Sequence, residues 1–301
     1  MTMVAVKMNL TGIQIGKYVV STCIQKGGNA KVYLAFEVDE QKKSSKKYAL
    51  KHQRTLVGSE EEWKLTNEAA FYRYIGNRQS KGICKFIDLI EKRDKVFDQC
   101  IILEYHPTDF FTLKLHGFPE KKIPGYLRQI AKILDFLHSE GIIYRDLKLE
   151  NLLLSNSEIV SSPRVNKSYP KSQDEVILCD FGSVMFVDAE RRGLPRANDF
   201  AGTIDYIPPE MILGCSNSYA HDIWSYGVLV YELLSPNSPF ADLDEGLTIS
   251  NILSGEYEMP DCLTEYKNLI SKCLEKDPLK RPSWKEIYQM LDEIELSVLH
   301  H

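Results

Sequence analysis

The sequence has no run approaching the roughly 20 apolar residues that a membrane-spanning helix needs. Its first residues, Met1 to Leu10, are mildly apolar but lack a long hydrophobic stretch and a small-residue cleavage site, which argues against a secretory leader. Seven cysteines are scattered along it, Cys23, Cys84, Cys100, Cys179, Cys215, Cys262 and Cys273. No two of them have C-x-x-C spacing, so a zinc framework is not expected. An odd count with no leader fits free thiols in a reducing compartment. There is no excess of positive charge: 37 Lys and Arg stand against 42 Asp and Glu, for a net charge of −5. That balance gives no reason to expect a nucleic-acid partner. The one dense basic run, Lys42-Lys43-Ser44-Ser45-Lys46-Lys47, is short and reads as a solvated turn. Internal repeats are absent. The expectation is an intracellular, soluble, monomeric protein, cytoplasmic with the nucleus as the alternative, and with no membrane partner.

What is present is ordinary globular material: 301 residues, 44 % hydrophobic and 26 % charged. That length suits one large domain or two coupled lobes. The first half alternates short apolar runs with turns. Tyr18-Val19-Val20, Lys31 to Phe36 and Tyr48 to Lys51 are rich in β-branched or aromatic residues and read as strands of an antiparallel sheet. Gly27-Gly28-Asn29 and the Lys42–Lys47 run separate them. Ser59 followed by Glu60-Glu61-Glu62 is a capping-box pattern with an acidic first turn, and it predicts a helix to about Ile75. Two further strands are expected near Ile83 to Leu89 and Gln99 to Glu104.

After His106-Pro107 the periodicity changes. Leu127, Ile130, Leu134 and Leu137 recur at three- and four-residue spacing and mark an amphipathic helix, with Gly141 at its C-terminal end. Tyr219 to Leu234 is apolar all round and reads as a buried helix. Further helices are expected around Leu247 to Leu253, Glu265 to Cys273 and Trp284 to Leu299, with Pro278 and Pro282 bounding the loop before the last. Residues 155–175 are too polar to pack and read as an exposed insertion. Ser161-Ser162-Pro163 within them is a candidate modification site, with a tolerated insertion the favoured reading.

The strongest chemical signal is Tyr144-Arg145-Asp146-Leu147-Lys148-Leu149-Glu150-Asn151, an Asp and an Asn five apart with a Lys between them, on a loop after a helix. Asp180-Phe181-Gly182 follows 29 residues after Asn151. In these segments the sequence resembles the eukaryotic protein kinase family, serine/threonine type, whose catalytic loop reads H-R-D-L-K-x-x-N and whose metal-binding motif reads D-F-G, with Tyr144 here in place of the His. The likeness covers roughly residues 13 to 297.

The resemblance implies an α+β, two-lobed protein kinase fold. Residues 1–12 would be an N-terminal extension and 13–297 the catalytic domain. Within it the β-rich N-lobe would span about 13–104, the hinge 104–109 and the mainly helical C-lobe about 110–297. Phosphoryl transfer leaves a protein little covalent chemistry to do, so positioning and charge neutralisation dominate. Asp146 would orient the substrate hydroxyl or accept its proton, and Lys148 would stabilise charge on the transferring group. Asn151 and Asp180 would supply hard oxygen ligands to Mg²⁺. Lys51, in Tyr48-Ala49-Leu50-Lys51, would hold the α- and β-phosphates of ATP, paired with Glu68 on the following helix; Glu60, Glu61 and Glu62 read as capping residues instead. The glycine-rich loop would be Gln25-Lys26-Gly27-Gly28-Asn29-Ala30-Lys31-Val32, with Gln25 and Ala30 where the family has glycine. Glu104 and His106 would bond adenine through their backbone, Leu103 would be the gatekeeper, and Val32, Ala49 and Leu153 would sandwich the base. Asp109 is a candidate for a ribose contact, and Cys179 reads as a small core residue beside the nucleotide.

In the larger lobe Glu210, of Pro208-Pro209-Glu210, would pair with Arg281, and Asp222 would brace the backbone of the catalytic loop. Lys148 and Gly202-Thr203 before Tyr206 resemble serine/threonine rather than tyrosine kinases. Glu150 and Glu232 match acidic positions that receive Arg residues of substrates in basophilic relatives, so protein substrates with basic residues near the target are expected. Between Val184 and Gly202 there is no Ser, Thr or Tyr. Activity without phosphorylation of that segment is therefore expected, with Asp188, Glu190 or Asp199 as the built-in anion and no appended regulatory domain. The alternative is a pseudokinase-like ATP-binding scaffold, for which the altered glycine-rich loop argues and Lys51, Asp146, Asn151 and Asp180 argue against.

Overall fold

The computed structural model describes residues 9–27, 30–38, 46–58, 62–76, 81–94, 96–117, 120–155, 175–192, 202–215 and 217–299. The chain divides into two compact units, Met1–Gln79 with Cys84–His106, and Ser80–Ile83 with Pro107–His301. The division falls between His106 and Pro107.

Among the described residues the first unit carries a six-stranded antiparallel sheet. Its strands are β1 (Gln14–Ile15), β2 (Tyr18–Lys26), β3 (Ala30–Glu37), β4 (Lys47–Leu56), β5 (Phe86–Arg93) and β6 (Val96–Glu104), in the order β1-β2-β3-β4-β6-β5. Helix α1 (Glu62–Ile75) lies between β4 and β5 in sequence. Side chains alternate across a strand. Tyr48, Leu50 and His52 of β4 therefore take one face, and Ala49 and Lys51 the other. Tyr18, Val20, Tyr33, Ala35, Tyr48, Leu50, Cys100 and Ile102 form an apolar core that Leu10 joins.

The Gly27 amide donates to the Ala30 carbonyl at 2.8 Å and closes the β2–β3 hairpin, while Gly28 and Asn29 lie outside the described residues. So do Ser59 to Glu61 of the expected capping box. Helix α1 starts at Glu62, whose Oε2 accepts from the Gly58 amide at 2.6 Å. The strand expected from Ile83 starts instead at Phe86. Ile83 forms a parallel bridge with Leu178, whose amide donates to Gly82 at 2.7 Å, so its backbone is spoken for within the second unit. Strand β6 begins earlier than expected because its polar residues Asp98 and Gln99 continue the ladder opposite Arg54 and Gln53.

The second unit contains α2 (Phe110–His116), α3 (Ile123–Ser139), β7 (Ile142–Ile143), β8 (Leu152–Leu154), β9 (Val176–Leu178), β10 (Met185–Phe186), α4 (Ala189–Arg192), α5 (Pro209–Ile212), α6 (Ala220–Leu234), α7 (Glu245–Ser254), α8 (Lys267–Cys273) and α9 (Trp284–Leu299). Strand β7 pairs with β10, and β8 with β9. The predicted stripe of α3 is buried, and α6 is buried on every side from His221 to Tyr231. Gly141 follows α3 at φ +73°, a conformation that favours glycine. The helix expected from Glu265 is shorter: Asp261–Tyr266 forms a 3-10 turn that leads into α8. Of the polar insertion, 156–174 lie outside the described residues, and the Ser155 amide closes its base on the Glu175 carbonyl at 3.0 Å. No helix among the described residues is long and apolar enough to cross a membrane.

Candidate active site

Two residues other than glycine have positive φ among the described residues: Arg145 at +68° and Asp180 at +57°. Each such residue costs on the order of 1–3 kcal/mol and persists only where its surroundings impose it. Both stand in the two chemical motifs, and both are held. The carboxylate of Asp222, fully buried on α6, accepts the amides of Tyr144 and Arg145, each at 2.8 Å. His138 Nε2 lies 2.8 Å from Asp222 Oδ2, and the Trp284 indole donates to His138 Nδ1 at 2.9 Å. Indole N–H is a donor only, so Nδ1 is the acceptor and Nε2 carries the proton given to Asp222. Burial alone would raise the Asp222 carboxyl, but His138 and the Tyr144 amide outweigh it and hold it below the usual range. Gly202 completes the clamp. It sits at φ +118°, and a Cβ there would come within 2.6 Å of the Arg145 carbonyl.

With the backbone fixed, the side chains converge. Lys148 Nζ lies 3.2 Å from both carboxylate oxygens of Asp146 and donates to Thr203 Oγ1 at 2.9 Å. Thr203 in turn donates to Asp146 Oδ1 at 3.0 Å. Asn151 Nδ2 donates to the Asp146 carbonyl at 2.8 Å and to its Oδ2 at 3.1 Å. Asp146 is thus held from three sides. Burial raises its pKa above the ordinary carboxylate value; Lys148 pulls it back and Asp180 pushes it up.

Asp180 follows Cys179, whose amide donates to the Asn151 carbonyl at 3.0 Å and whose Sγ approaches the same carbonyl at 3.4 Å. The residue standing where the family has His makes the second link: the Tyr144 hydroxyl donates to the Cys179 carbonyl at 2.5 Å, and its ring meets Phe181 edge-on at 5.6 Å. The second unit therefore binds Asp146, Lys148 and Asn151 into one hydrogen-bonded network, and the tie from Cys179 to Asn151 sets Asp180 next to it in the chain. With its amide nitrogen committed to Asp146, Asn151 offers a cation its Oδ1. Together with the Asp180 carboxylate this is a hard-oxygen donor set, which fits Mg²⁺.

The first unit collects the other set. Lys51 Nζ meets Glu68 Oε2 at 2.7 Å, with the two side chains 5 % and 0 % exposed. The helix phase thus selects Glu68 from the candidate glutamates. Register places Val32 opposite Lys51 and Ala49 opposite Leu103, so these four share one sheet face. Gln25 and Lys26 end β2, paired with Val32 and Lys31. The Glu104 amide donates to the Lys85 carbonyl at 2.9 Å, and the Glu104 carbonyl accepts from Cys84 Sγ at 3.7 Å. The His106 imidazole is nearly buried, 3.9 Å from the Glu104 carboxylate.

Two of the candidate residues already have partners within the chain. Asp109 is the N-cap of α2, its Oδ1 and Oδ2 accepting from the Thr112 amide at 2.6 Å and hydroxyl at 3.0 Å, so its carboxylate already has a structural duty that competes with a ribose contact. Leu153, on β8, bridges to Asp109 and pairs with Ile177. Glu232 has partners of its own: the Tyr206 hydroxyl donates to it and Lys114 Nζ lies 3.7 Å away, so a substrate arginine would compete with them. Glu210 and Arg281 form the expected pair, bidentate at 2.6 and 2.7 Å, with Arg281 also 5.0 Å from the centre of the Trp224 ring. Sequence reasoning missed His138 and Trp284. Their one signal in the sequence is a lone histidine in the last turn of an apolar helix.

The protein kinase domain family model matches residues 18–291. The chain belongs to the protein kinase family. It is 32 % identical to the "Probable serine/threonine-protein kinase CCRP1" of Zea mays across 96 % of its own length. It is 29 % identical to Aurora kinase B of Danio rerio across 92 %, and 36 % identical to ribosomal protein S6 kinase alpha-1 of Homo sapiens across 54 %. The kinase chain spans 43 % of the maize relative, 79 % of the zebrafish one and 20 % of the human one.

Proposed function

We propose that this protein kinase transfers the γ-phosphoryl group of Mg-ATP to serine and threonine hydroxyls of protein substrates. The observation that carries the reading is the Lys148–Thr203–Asp146 triangle, with Asn151 holding the far side of the carboxylate. A substrate hydroxyl placed at Asp146 is oriented by an anchored carboxylate whose proton affinity burial has raised, which suits it to receive the hydroxyl proton. Lys148 lies beside it to offset negative charge on the group in transfer. Asn151 and Asp180 would hold Mg²⁺, which supplies charge neutralisation on the phosphates. Lys51, kept in place by Glu68, is the side chain for the α- and β-phosphates. Lys51, Asp146, Asn151 and Asp180 weigh against the scaffold alternative.

The basal state needs no phosphate on the activation segment. Thr203, which carries one of the few hydroxyls there, is already bonded to Asp146 and Lys148, so a phosphate on it would set a dianion against Asp146. Arg145, the residue that would receive such a phosphate, is 1 % exposed and donates through Nε to the Ser183 carbonyl at 2.8 Å. Asp188 and Glu190 are exposed, and Asp199 lies outside the described residues. Glu150 and Glu232 support a preference for basic residues near the target.

The test is transfer of label from γ-labelled ATP to a basic protein substrate, followed by phosphoamino-acid analysis. Label on serine and threonine is the expected result. Label on tyrosine alone, or nucleotide binding without transfer, overturns the reading.

A further inference from the structure

The first unit holds a second constellation, on the sheet face opposite Lys51. His52 of β4 stands directly across from Cys100 of β6, and Asp98 lies two residues before Cys100 on the same face, across from Arg54. The His52 nitrogen, the Cys100 sulfur and an Asp98 carboxylate oxygen all lie within 4.8 Å of one another. His52 Nε2 and Asp98 Oδ1 are 2.8 Å apart. No residue of this group has a part in the phosphoryl-transfer machinery.

Three donors of three chemical kinds distinguish this cluster from ordinary surface acidity. Imidazole and thiolate together favour zinc or copper over magnesium or calcium. A site with three protein ligands, keeping one position for water, is a familiar zinc arrangement. The other requirements of a metal site are ligand orientation and a route of entry. The second oxygen of Asp98, Oδ2, is 3.7 Å from Arg54 Nε, which orients the carboxylate with Oδ1 toward His52. His52 and Cys100 are 7 % and 5 % exposed and Asp98 about a third exposed, so an ion would enter over Asp98 and reach a dry floor. That floor is the apolar core, to which Cys100 belongs.

We propose that His52, Asp98 and Cys100 form a zinc site that staples β4 to β6. The ion would replace the His52–Asp98 hydrogen bond and take up the Cys100 thiol as thiolate, its proton passing to solvent. Its place in the fold suggests its effect. His52 is the neighbour of Lys51 on β4, so the staple would stiffen the ladder that carries Lys51.

The experiment titrates Co²⁺, a spectroscopic stand-in for Zn²⁺, into the metal-free, reduced chain. The expected result is a thiolate-to-cobalt charge-transfer band that saturates at one cobalt per chain and is bleached by Zn²⁺. Cys100→Ser should abolish the band. Because Cys100 is a core residue, Asp98→Asn at the partly exposed ligand is the companion variant, with its fold checked by circular dichroism. It should weaken cobalt affinity at least about tenfold. The proposal is overturned if wild type shows no thiolate band, if the band survives in folded Cys100→Ser, or if Asp98→Asn binds as tightly as wild type. Since the readout is metal binding, a failure here is distinct from a failure of the kinase reading.

Discussion

The glycine-rich hairpin of the first unit and the catalytic loop of the second depart from their family patterns in different ways. In the hairpin, glycine is replaced at Gln25 and Ala30, and the turn still closes through the Gly27 amide and Ala30 carbonyl. A loop that meets phosphate through backbone N–H groups needs a path for the chain more than particular side chains. The catalytic loop is built the other way. Its chemistry is in side chains, its backbone is strained at Arg145, and Asp222 and Gly202 secure that strain from outside the loop. Its one substitution, Tyr144 for His, replaces a ring with another ring and adds a hydroxyl that reaches the Cys179 carbonyl. The hairpin keeps its turn bond with two glycines replaced, and the one replacement in the catalytic loop makes a hydrogen bond of its own.

The contrast predicts where variants hurt. The largest loss of stability should come from Arg281→Ala. It leaves Glu210 without the partner that holds both its oxygens, and breaking a buried pair from one side costs about 3–5 kcal/mol. Denaturant unfolding measures it, and a loss below about 1 kcal/mol would mean the pair behaves as a surface one. Next is Lys51→Met, which removes the proposed phosphate anchor, a charged group held dry against Glu68. It should lower kcat roughly 10²–10³-fold, the scale of losing one preorganised electrostatic contact.

Glu232 should give a smaller, pH-dependent effect. Burial pushes its pKa up to about 7, with Glu150 and Asp205 adding to the rise and Lys114 opposing it. Below that value it is neutral and above it anionic. The preference for Arg-containing over Ala-substituted peptides, measured as a ratio of kcat/KM, should therefore fall about tenfold between pH 8 and pH 6 as the ionised fraction falls. Glu232→Gln should flatten the profile, and a flat profile in wild type would remove Glu232 from recognition. Smallest is restoration of the hairpin glycines. Gln25→Gly with Ala30→Gly should change KM for ATP no more than about fivefold, in line with the roughly 0.5–1 kcal/mol separating glycine from alanine backbones. A larger gain in ATP affinity would show that these side chains do limit the site.

Much of the fold and the site is legible in the residues themselves. Alternation marks β2 to β4, three- and four-residue spacing marks α3, and Asp146, Asn151, Asp180 and Lys51 stand out by residue type and order. Glu68 is legible because it follows Lys51 by seventeen residues, on the helix expected after that strand. What stays hidden depends on pairing at long range. Ile83 looks like the start of a strand, and only its bridge to Leu178 removes it. Asp109 looks like a ligand, and only the Thr112 amide shows that it also caps a helix. His138 and Trp284 are 146 residues apart in the chain, and no local pattern couples them. The His52–Cys100 register is invisible until the strands are paired.

The claim that chemistry resides in the side-chain-built loop is tested most directly at Asp146. The measurement is kcat at saturating Mg-ATP for wild type and Asp146→Asn, which keeps the shape of the side chain and removes its charge. The account predicts a fall of about 10²–10⁴-fold, the contribution of a positioned acid–base group. A variant that keeps the wild-type kcat would contradict it.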